Sequence, residues 1–135
     1  MLYLARALEA WQQAHPRLPK APEYLQEAAR LYQEELGDAR KARAVYRTLY
    51  EQYPKAKQSG TALYKMAEIE HVDLHEWNEA RLHYRQFLAN YPNHPNARLA
   101  QEAMTFLTKT EDELFRQVQD SIRAKAQQAP KTDSR

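Results

Sequence analysis

Residues 37–54, GDARKARAVYRTLYEQYP, decide the fold, because residues 75–92, HEWNEARLHYRQFLANYP, repeat their pattern 38 positions later. Counted back from the closing proline, both stretches place alanine at 12, tyrosine at 8, a large apolar side chain at 5 and tyrosine at 1. Steps of three and four put such residues on one face of a helix. The residue before a proline is pushed out of the helical region. Each stretch therefore predicts an amphipathic helix that ends at a Tyr-Pro pair.

The proline spacing extends this repeat along the chain. Prolines recur every 38 residues, at Pro16, Pro54, Pro92 and Pro130. A fixed period between about 20 and 50 residues is the signature of a solenoid of stacked units. Solenoids mostly provide extended binding surfaces. The sequence therefore favours a binding function over a catalytic one.

A second helix precedes each of these, and Gly37-Asp38 supplies a helix stop followed by a cap for the next helix. Thr110-Glu111-Asp112-Glu113 is typical of a capping box that opens a last helix. Seven helices are predicted, at 2–15, 22–36, 39–53, 60–73, 77–91, 95–108 and 111–128. They form one domain over 1–128, in units 2–16 (partial), 22–54, 60–92 and 95–128, with a flexible tail at 129–135.

The composition narrows the function classes. The 135 residues include two glycines and no cysteine, and the formal net charge is +2. Frequent helix formers favour helix throughout, and a near-neutral charge does not indicate a large nucleic-acid footprint. No run of about 18 apolar residues predicts a membrane span, and the start at Met1 shows no signal peptide. No serine lies in a nucleophile-elbow context and no glycine-rich phosphate loop occurs, so we expect no enzyme activity and no cofactor.

The pattern resembles a tetratricopeptide (TPR) repeat. The first unit fits through Ala29, Tyr32, Gly37, Asp38, Ala42, Tyr46, Leu49 and Pro54, with one extra residue in its first helix. The second unit fits through Ala67, Trp77, Ala80, Tyr84, Phe87 and Pro92. It departs from the family where His75 occupies the glycine position and Glu68 the small-residue position. The resemblance implies an all-α, TPR-like superhelical solenoid of antiparallel helix pairs that binds protein partners.

The linkers narrow this resemblance. Stretches such as Tyr91-Pro92-Asn93-His94-Pro95-Asn96-Ala97 are similar to those of bacterial envelope TPR proteins, including the BamD-like and CpoB/YbgF-like groups. That implies the periplasm if the chain is a fragment of such a protein. The start at Met1 without a signal favours the cytoplasm instead.

TPR arrays use the concave face of the first helix of each pair to hold peptides, and this resemblance selects the predicted site. The partner-binding residues are Gln26, Arg30, Gln33, Lys65, Ile69, Val72 and Asp73. Arg30 and Lys65 would hold carboxylates of the partner, and Ile69 and Val72 would offer an apolar floor. The alternative is that these are ordinary solvated residues, with Ile69 packed against the next helix.

Other interpretations compete with this one. Residues 2–15 form the second helix of a unit without its first, so Leu4, Leu8 and Trp11 define an edge for head-to-tail self-assembly or for the rest of a longer parent chain. Arg40, Arg43 and Arg47 form a basic strip, which pairs with Glu35 or Glu51 or docks an acidic partner. His71 and His75 have a metal-compatible spacing, but no metal is expected. RNA binding is the weakest alternative, because the aromatic side chains lie at core positions.

Overall fold

The computed structural model describes residues 1–128, which form six helices and no strand. The helices are α1 (Leu2–Ala14), α2 (Ala21–Arg30), α3 (Ala39–Gln52), α4 (Ser59–Glu68), α5 (Trp77–Asn90) and α6 (Ala97–Gln128). Short π-helical turns at Leu31–Glu35 and Ile69–Asp73 continue α2 and α4. The all-α prediction is confirmed. The predicted tail at 129–135 lies outside the described residues.

The predicted break before residue 111 is wrong, because α6 runs through it. The Thr110 hydroxyl donates a hydrogen bond to the carbonyl oxygen of Phe106, at 2.9 Å, instead of capping a new helix. Bonding back by one turn is what a threonine inside a helix commonly does. With neither glycine nor proline nearby, the surrounding helix formers keep the chain helical, so two predicted helices are one.

The π-helical turns accommodate the extra residue of each first helix. The Leu36 amide bonds the Leu31 carbonyl at 3.0 Å, and Leu74 bonds Ile69 in the same way 38 residues later. These bonds span five residues, which widens one turn and takes up a single inserted residue. The insertion noted in the sequence thus leaves the helix intact and is absorbed at its end.

A left-handed residue follows each π-helical turn. Gly37 has φ 62° and His75 has φ 54°, and His75 is the one non-glycine residue among 1–128 with positive φ. His75, which the sequence singled out as a departure from the family's glycine, thus adopts the conformation of Gly37. Asp38 then caps α3 by accepting a hydrogen bond from the Lys41 amide at 3.1 Å.

The helices from α1 to α5 pack in chain order, each against its neighbours. Alanine allows the close approach between them: Ala28, Ala29, Ala42 and Ala80 are all fully buried. Larger side chains fill the remaining space of the core, among them Leu25, Leu31, Tyr46, Leu49, Met66 and Ile69. The predicted stripe of small residues followed by large rings is therefore the packing seam.

The tyrosines that precede the prolines fasten the linkers. The Tyr53 hydroxyl donates to the Pro16 carbonyl oxygen at 2.6 Å, and the Tyr91 hydroxyl donates to Ser59 Oγ at 3.3 Å. Gly60 lies so close to Tyr91 that an added Cβ would come within 3.0 Å of the ring. Each tyrosine thus ends a second helix and also bonds the chain just before, or at the start of, the first helix of its own pair.

The chain divides into two compact units, the first at Met1–Met104 and the second beginning at Thr105. The single domain over residues 1–128 is a prediction from the sequence. No helix among these residues is long and apolar enough to cross a membrane.

Candidate partner-binding surface

The exposed sides of the first helices carry matched positions 38 residues apart. The pairs are Glu27 with Lys65, Arg30 with Glu68, and Glu34 with Val72. We call these six residues the first-helix stripe. In each of the first two pairs, the two members carry opposite charges. In the third pair, Val72 stands where the first unit has the carboxylate of Glu34. All six side chains are partly or fully exposed, so the stripe is available to a partner.

Arg30 sits at the centre of an ion-pair cluster on α2. Its guanidinium donates to Glu27 at 3.0 and 2.6 Å and to Glu34 at 3.0 Å. These bonds raise the pKa of Arg30, and the bond from Arg30 lowers the pKa of Glu27. On α4, Lys65 Nζ lies 3.2 Å from Glu68 Oε1. Exposed ion pairs of this kind contribute little to stability, so a partner carboxylate can replace them at little cost.

Two buried tyrosines, Tyr46 and Tyr64, feel the charges of carboxylates in the stripe. Burial first, and then the charges of Glu34 and Glu68, raise the pKa of Tyr46 on α3. Burial, with a smaller contribution from Glu68, raises the pKa of Tyr64 to about 12. Glu34 lies in the π-helical turn after α2 and Glu68 at the end of α4, and both charges act on Tyr46. Both phenols stay protonated at neutral pH, and both rings are buried beneath the stripe and do not face a partner.

The predicted partner-binding residues differ in their exposure to solvent. Ile69 is fully buried in the core, so its predicted role as an apolar floor is wrong. Val72 and Asp73 are exposed at the end of the π-helical turn. Gln26 and Gln33 are half-buried, and Gln33 Oε1 is buried without a hydrogen-bond partner in the described structure. Arg30 and Lys65 are half-buried as well, so every member of the predicted set except Ile69 is at least partly accessible.

The sequence analysis missed Glu68, which it treated only as a departure from a small-residue position. Glu68 pairs with Lys65 and lies near three phenols, those of Tyr46, Tyr64 and Tyr84. A comparison of charges at the 38-residue spacing could have found it, because Arg30 stands at the equivalent position.

Two arginines of the basic strip on α3, Arg40 and Arg43, form ion pairs within the protein. Arg43 pairs with Glu76 and lies 3.5 Å from Glu70 Oε2, while Arg40 lies 3.6 Å from Glu76. Glu70 is fully buried, and its other oxygen bonds the His83 ring. The expected pairing with Glu35 or Glu51 is therefore replaced by pairs that join α3 to the next unit. Arg47 remains exposed.

The two histidines of the predicted metal spacing have separate surroundings. His71 Nδ1 lies 3.4 Å from the Tyr84 hydroxyl, and His75 occupies the left-handed turn. Within residues 1–128, no group of three or more histidine, cysteine, aspartate or glutamate side chains could hold a metal ion.

The predicted assembly edge is only partly exposed. The Trp11 ring packs edge-on against Tyr24, with 4.5 Å between centroids, and Leu8 packs against the core. Leu4 is 46% exposed, whereas Ala42 and Ala80 at the equivalent positions of α3 and α5 are fully buried. Leu4, with the exposed Leu2 and Tyr3 beside it, is thus the apolar part of α1 that faces water.

The repeat geometry agrees with a family comparison. A family model described as tetratricopeptide repeat matches residues 23–56 and 61–94, which together make up half of the chain. The chain belongs to the tetratricopeptide repeat family. The matched spans begin within one residue of the predicted units and end within two of them. No curated protein matches this chain.

Membership of the TPR family indicates a general kind of function. Repeats of this family generally mediate protein–protein interactions, and proteins built from them are typically non-enzymatic scaffolds. The first-helix stripe is accordingly the surface where a partner would be sought first. Its mixture of cations and carboxylates can recognise a polar segment through charge-assisted hydrogen bonds.

Proposed function

We propose that this TPR protein is a non-catalytic interaction scaffold that binds a segment of a partner protein along the first-helix stripe. One observation carries this proposal: equivalent accessible positions of α2 and α4 present opposite charges. A stack of rigid helices holds these groups in fixed register, so the ordering entropy is lost mainly by the partner segment.

The stripe also suggests the chemistry of the partner. Carboxylates outnumber cations by three to two among its charged members, and Val72 provides an exposed apolar contact at one end. We propose a segment that carries both charge signs, with its acidic side chain at Arg30 or Lys65, a cation near Glu68 and an apolar side chain on Val72. Gln26, Gln33 and Asp73 would supply further hydrogen bonds.

Affinity capture with charge-reversed variants tests this function. The bait is the wild-type chain, compared with an Arg30→Glu/Lys65→Glu variant and with Arg47→Glu as a matched control on the exposed side of α3. Circular dichroism and thermal unfolding verify that each variant is folded. We expect the double variant to lose a protein that both wild type and Arg47→Glu retain. A photo-crosslinker at Val72 should then label that protein.

Two outcomes would count against the stripe. Equal capture by all three baits places binding elsewhere on the chain. Loss of capture with Arg47→Glu alone would instead indicate the remaining exposed part of the basic strip.

A second candidate is head-to-tail assembly through α1, favoured by the exposure of Leu4 where the equivalent alanines are buried. Leu4→Glu is the sharpest test, because Leu8 and Trp11 pack inside the protein and their replacement would disturb the fold. Concentration-dependent growth beyond a dimer that Leu4→Glu abolishes would support this assembly. Unchanged mass in Leu4→Glu would contradict it.

The bacterial envelope origin belongs to the proposal as well. It is supported by the resemblance of the aromatic-proline linkers, such as the one that begins at Tyr91-Pro92, to those of bacterial envelope TPR proteins. Fractionation of the source cells with an antibody against this chain tests the compartment. Recovery in the cytoplasmic fraction would contradict an envelope role.

A further inference from the structure

The second half of α6 carries a row of apolar side chains that face water. Leu114, Phe115, Val118 and Ile122 are each between 47% and 64% exposed. With 3.6 residues per turn, Leu114 and Ile122 lie about 40° to either side of Val118. They line a shallow groove together with Lys125. Contiguous exposed apolar side chains of this kind mark interaction sites.

Charged residues occur at both ends of this row and on the far side of the helix. Glu111 and Lys125 each lie seven residues from Val118, one on either side, and within about 20° of it around the helix. Gln117 and Gln119, which border the row, carry no charge. We call Glu111, Leu114, Phe115, Val118, Ile122 and Lys125 the C-terminal stripe. It is an apolar centre with an acid at one end and a base at the other.

We propose that two copies of this protein associate through the C-terminal stripe, with their α6 helices antiparallel and Val118 at the two-fold axis. Glu111 and Lys125 are equidistant from Val118, so this arrangement places Glu111 of each copy opposite Lys125 of the other. It also places Leu114 opposite Ile122 of the second copy. A two-fold contact requires a self-complementary surface of this kind.

The charges select the orientation of the two helices. A parallel pair would bring glutamate to glutamate at one end and lysine to lysine at the other, and like charges at a contact are unfavourable. Glu111 already has an interaction within its own chain, and Lys125 of the second copy adds to it. The bordering glutamines introduce no repulsion, and Arg116, Asp120 and Arg123 lie on the opposite side of α6.

This contact is separate from the first-helix stripe and goes beyond the proposed function. It also differs from assembly through α1, because a two-fold contact closes at a dimer while a head-to-tail contact continues to grow.

Disulfide crosslinking tests the register, and the absence of native cysteine makes single-cysteine variants clean. Val118→Cys places one thiol at the axis of each copy. Ile122→Cys places the two thiols about eight residues apart along the axis, or about 12 Å, which exceeds the roughly 7 Å that a disulfide allows between Cα atoms. We expect Val118→Cys to form a covalent dimer at least about tenfold faster than Ile122→Cys. Mixed Leu114→Cys and Ile122→Cys chains should crosslink to each other.

Charge exchange tests the pairing, using sedimentation equilibrium from about 1 μM to about 1 mM. Glu111→Lys and Lys125→Glu alone should each weaken dimerisation about tenfold, since each replaces two attractive contacts by repulsive ones. The double variant should restore wild-type association. Arg116→Glu, on the opposite side of α6, is the matched control and should change nothing.

Several results would overturn the inference. They are a monomeric wild type throughout the concentration range, equal crosslinking at Val118 and Ile122, or a double variant that stays as weak as the singles. Association abolished by Leu4→Glu but retained in Val118→Lys would assign the contact to α1.

Discussion

At the scale of single residues, the equivalent positions 37 and 75 adopt the same left-handed backbone conformation with two different residues. Gly37 adopts positive φ freely, while His75 adopts it at a cost, because a left-handed conformation costs an L-residue about 1–2 kcal/mol. The turn is therefore imposed by the π-helical turn before it and the helix after it.

Replacing His75 by glycine should stabilise the protein. We expect His75→Gly to raise the free energy of unfolding by about 0.5–1 kcal/mol, since relief of the left-handed strain exceeds the added entropy of glycine in the unfolded chain. Urea unfolding measures this. Gly37→Ala is the matched control and should lower stability, although an added Cβ there meets nothing within 4 Å. A less stable His75→Gly variant would contradict the strain argument.

Glu70 is the second informative residue, because Tyr32 stands at its equivalent position. Its buried carboxylate faces Arg43 and His83, and removing one partner of a buried ion pair costs about 3–5 kcal/mol. We expect Glu70→Ala to destabilise the protein by about 3 kcal/mol in urea unfolding. Glu79→Ala, exposed on α5, should change stability by less than about 0.5 kcal/mol. Similar effects from both would contradict a structural role for the buried pair.

At the scale of elements, the linker after α5 depends on the protonation of His94. Its Nδ1 accepts a hydrogen bond from the Asn96 amide at 3.0 Å, and its Nε2 lies 3.2 Å from Thr61 Oγ1. An accepting Nδ1 carries no proton, so the neutral ring fits this network. Burial also lowers the pKa of His94, because desolvation disfavours the charged ring.

Stability should therefore fall as the pH drops below about 6.5, the usual histidine pKa. There the unfolded chain binds a proton that folded His94 excludes, and the loss continues down to the lowered pKa of the folded state. We expect the unfolding free energy of His94→Gln to decrease less than that of wild type between pH 7.5 and pH 5. Equal decreases would show that His94 does not titrate in this way.

At the scale of the whole molecule, the extensive contacts of the solenoid join helices that are neighbours in the chain. Stability in such an array is approximately a sum over units and their interfaces. Helix α3 packs between α2 and α4, whereas α1, its equivalent one repeat earlier, packs against α2 and the π-helical turn that continues it.

Hydrogen exchange should reflect this difference. We expect backbone amides of α3 to exchange at least about tenfold more slowly than those of α1, because a helix that packs against fewer elements opens locally at lower free energy. Exchange followed by mass spectrometry compares the two helices within one sample. Equal protection would indicate that the array opens as a single cooperative unit.

Much of the fold follows from local features of the sequence. The 38-residue period, the Tyr-Pro helix ends and the Gly37 stop predicted the family and most helix bounds to within a few residues. These features work because helix formation and termination depend on residues close in the chain. The capping-box signal at Thr110 failed because a local motif competes with an uninterrupted run of helix formers.

Only the tertiary structure decided which side chains remain accessible. A helical period places Lys65, Ile69 and Val72 near one another, yet Ile69 is buried and Val72 exposed. Likewise, Arg43 pairs with Glu70 and Glu76, which are distant in sequence. The sequence by itself determined the repeat and its helices, because local sterics fix them. Burial and ion pairing required the structure, since they depend on how the neighbouring helices on both sides pack.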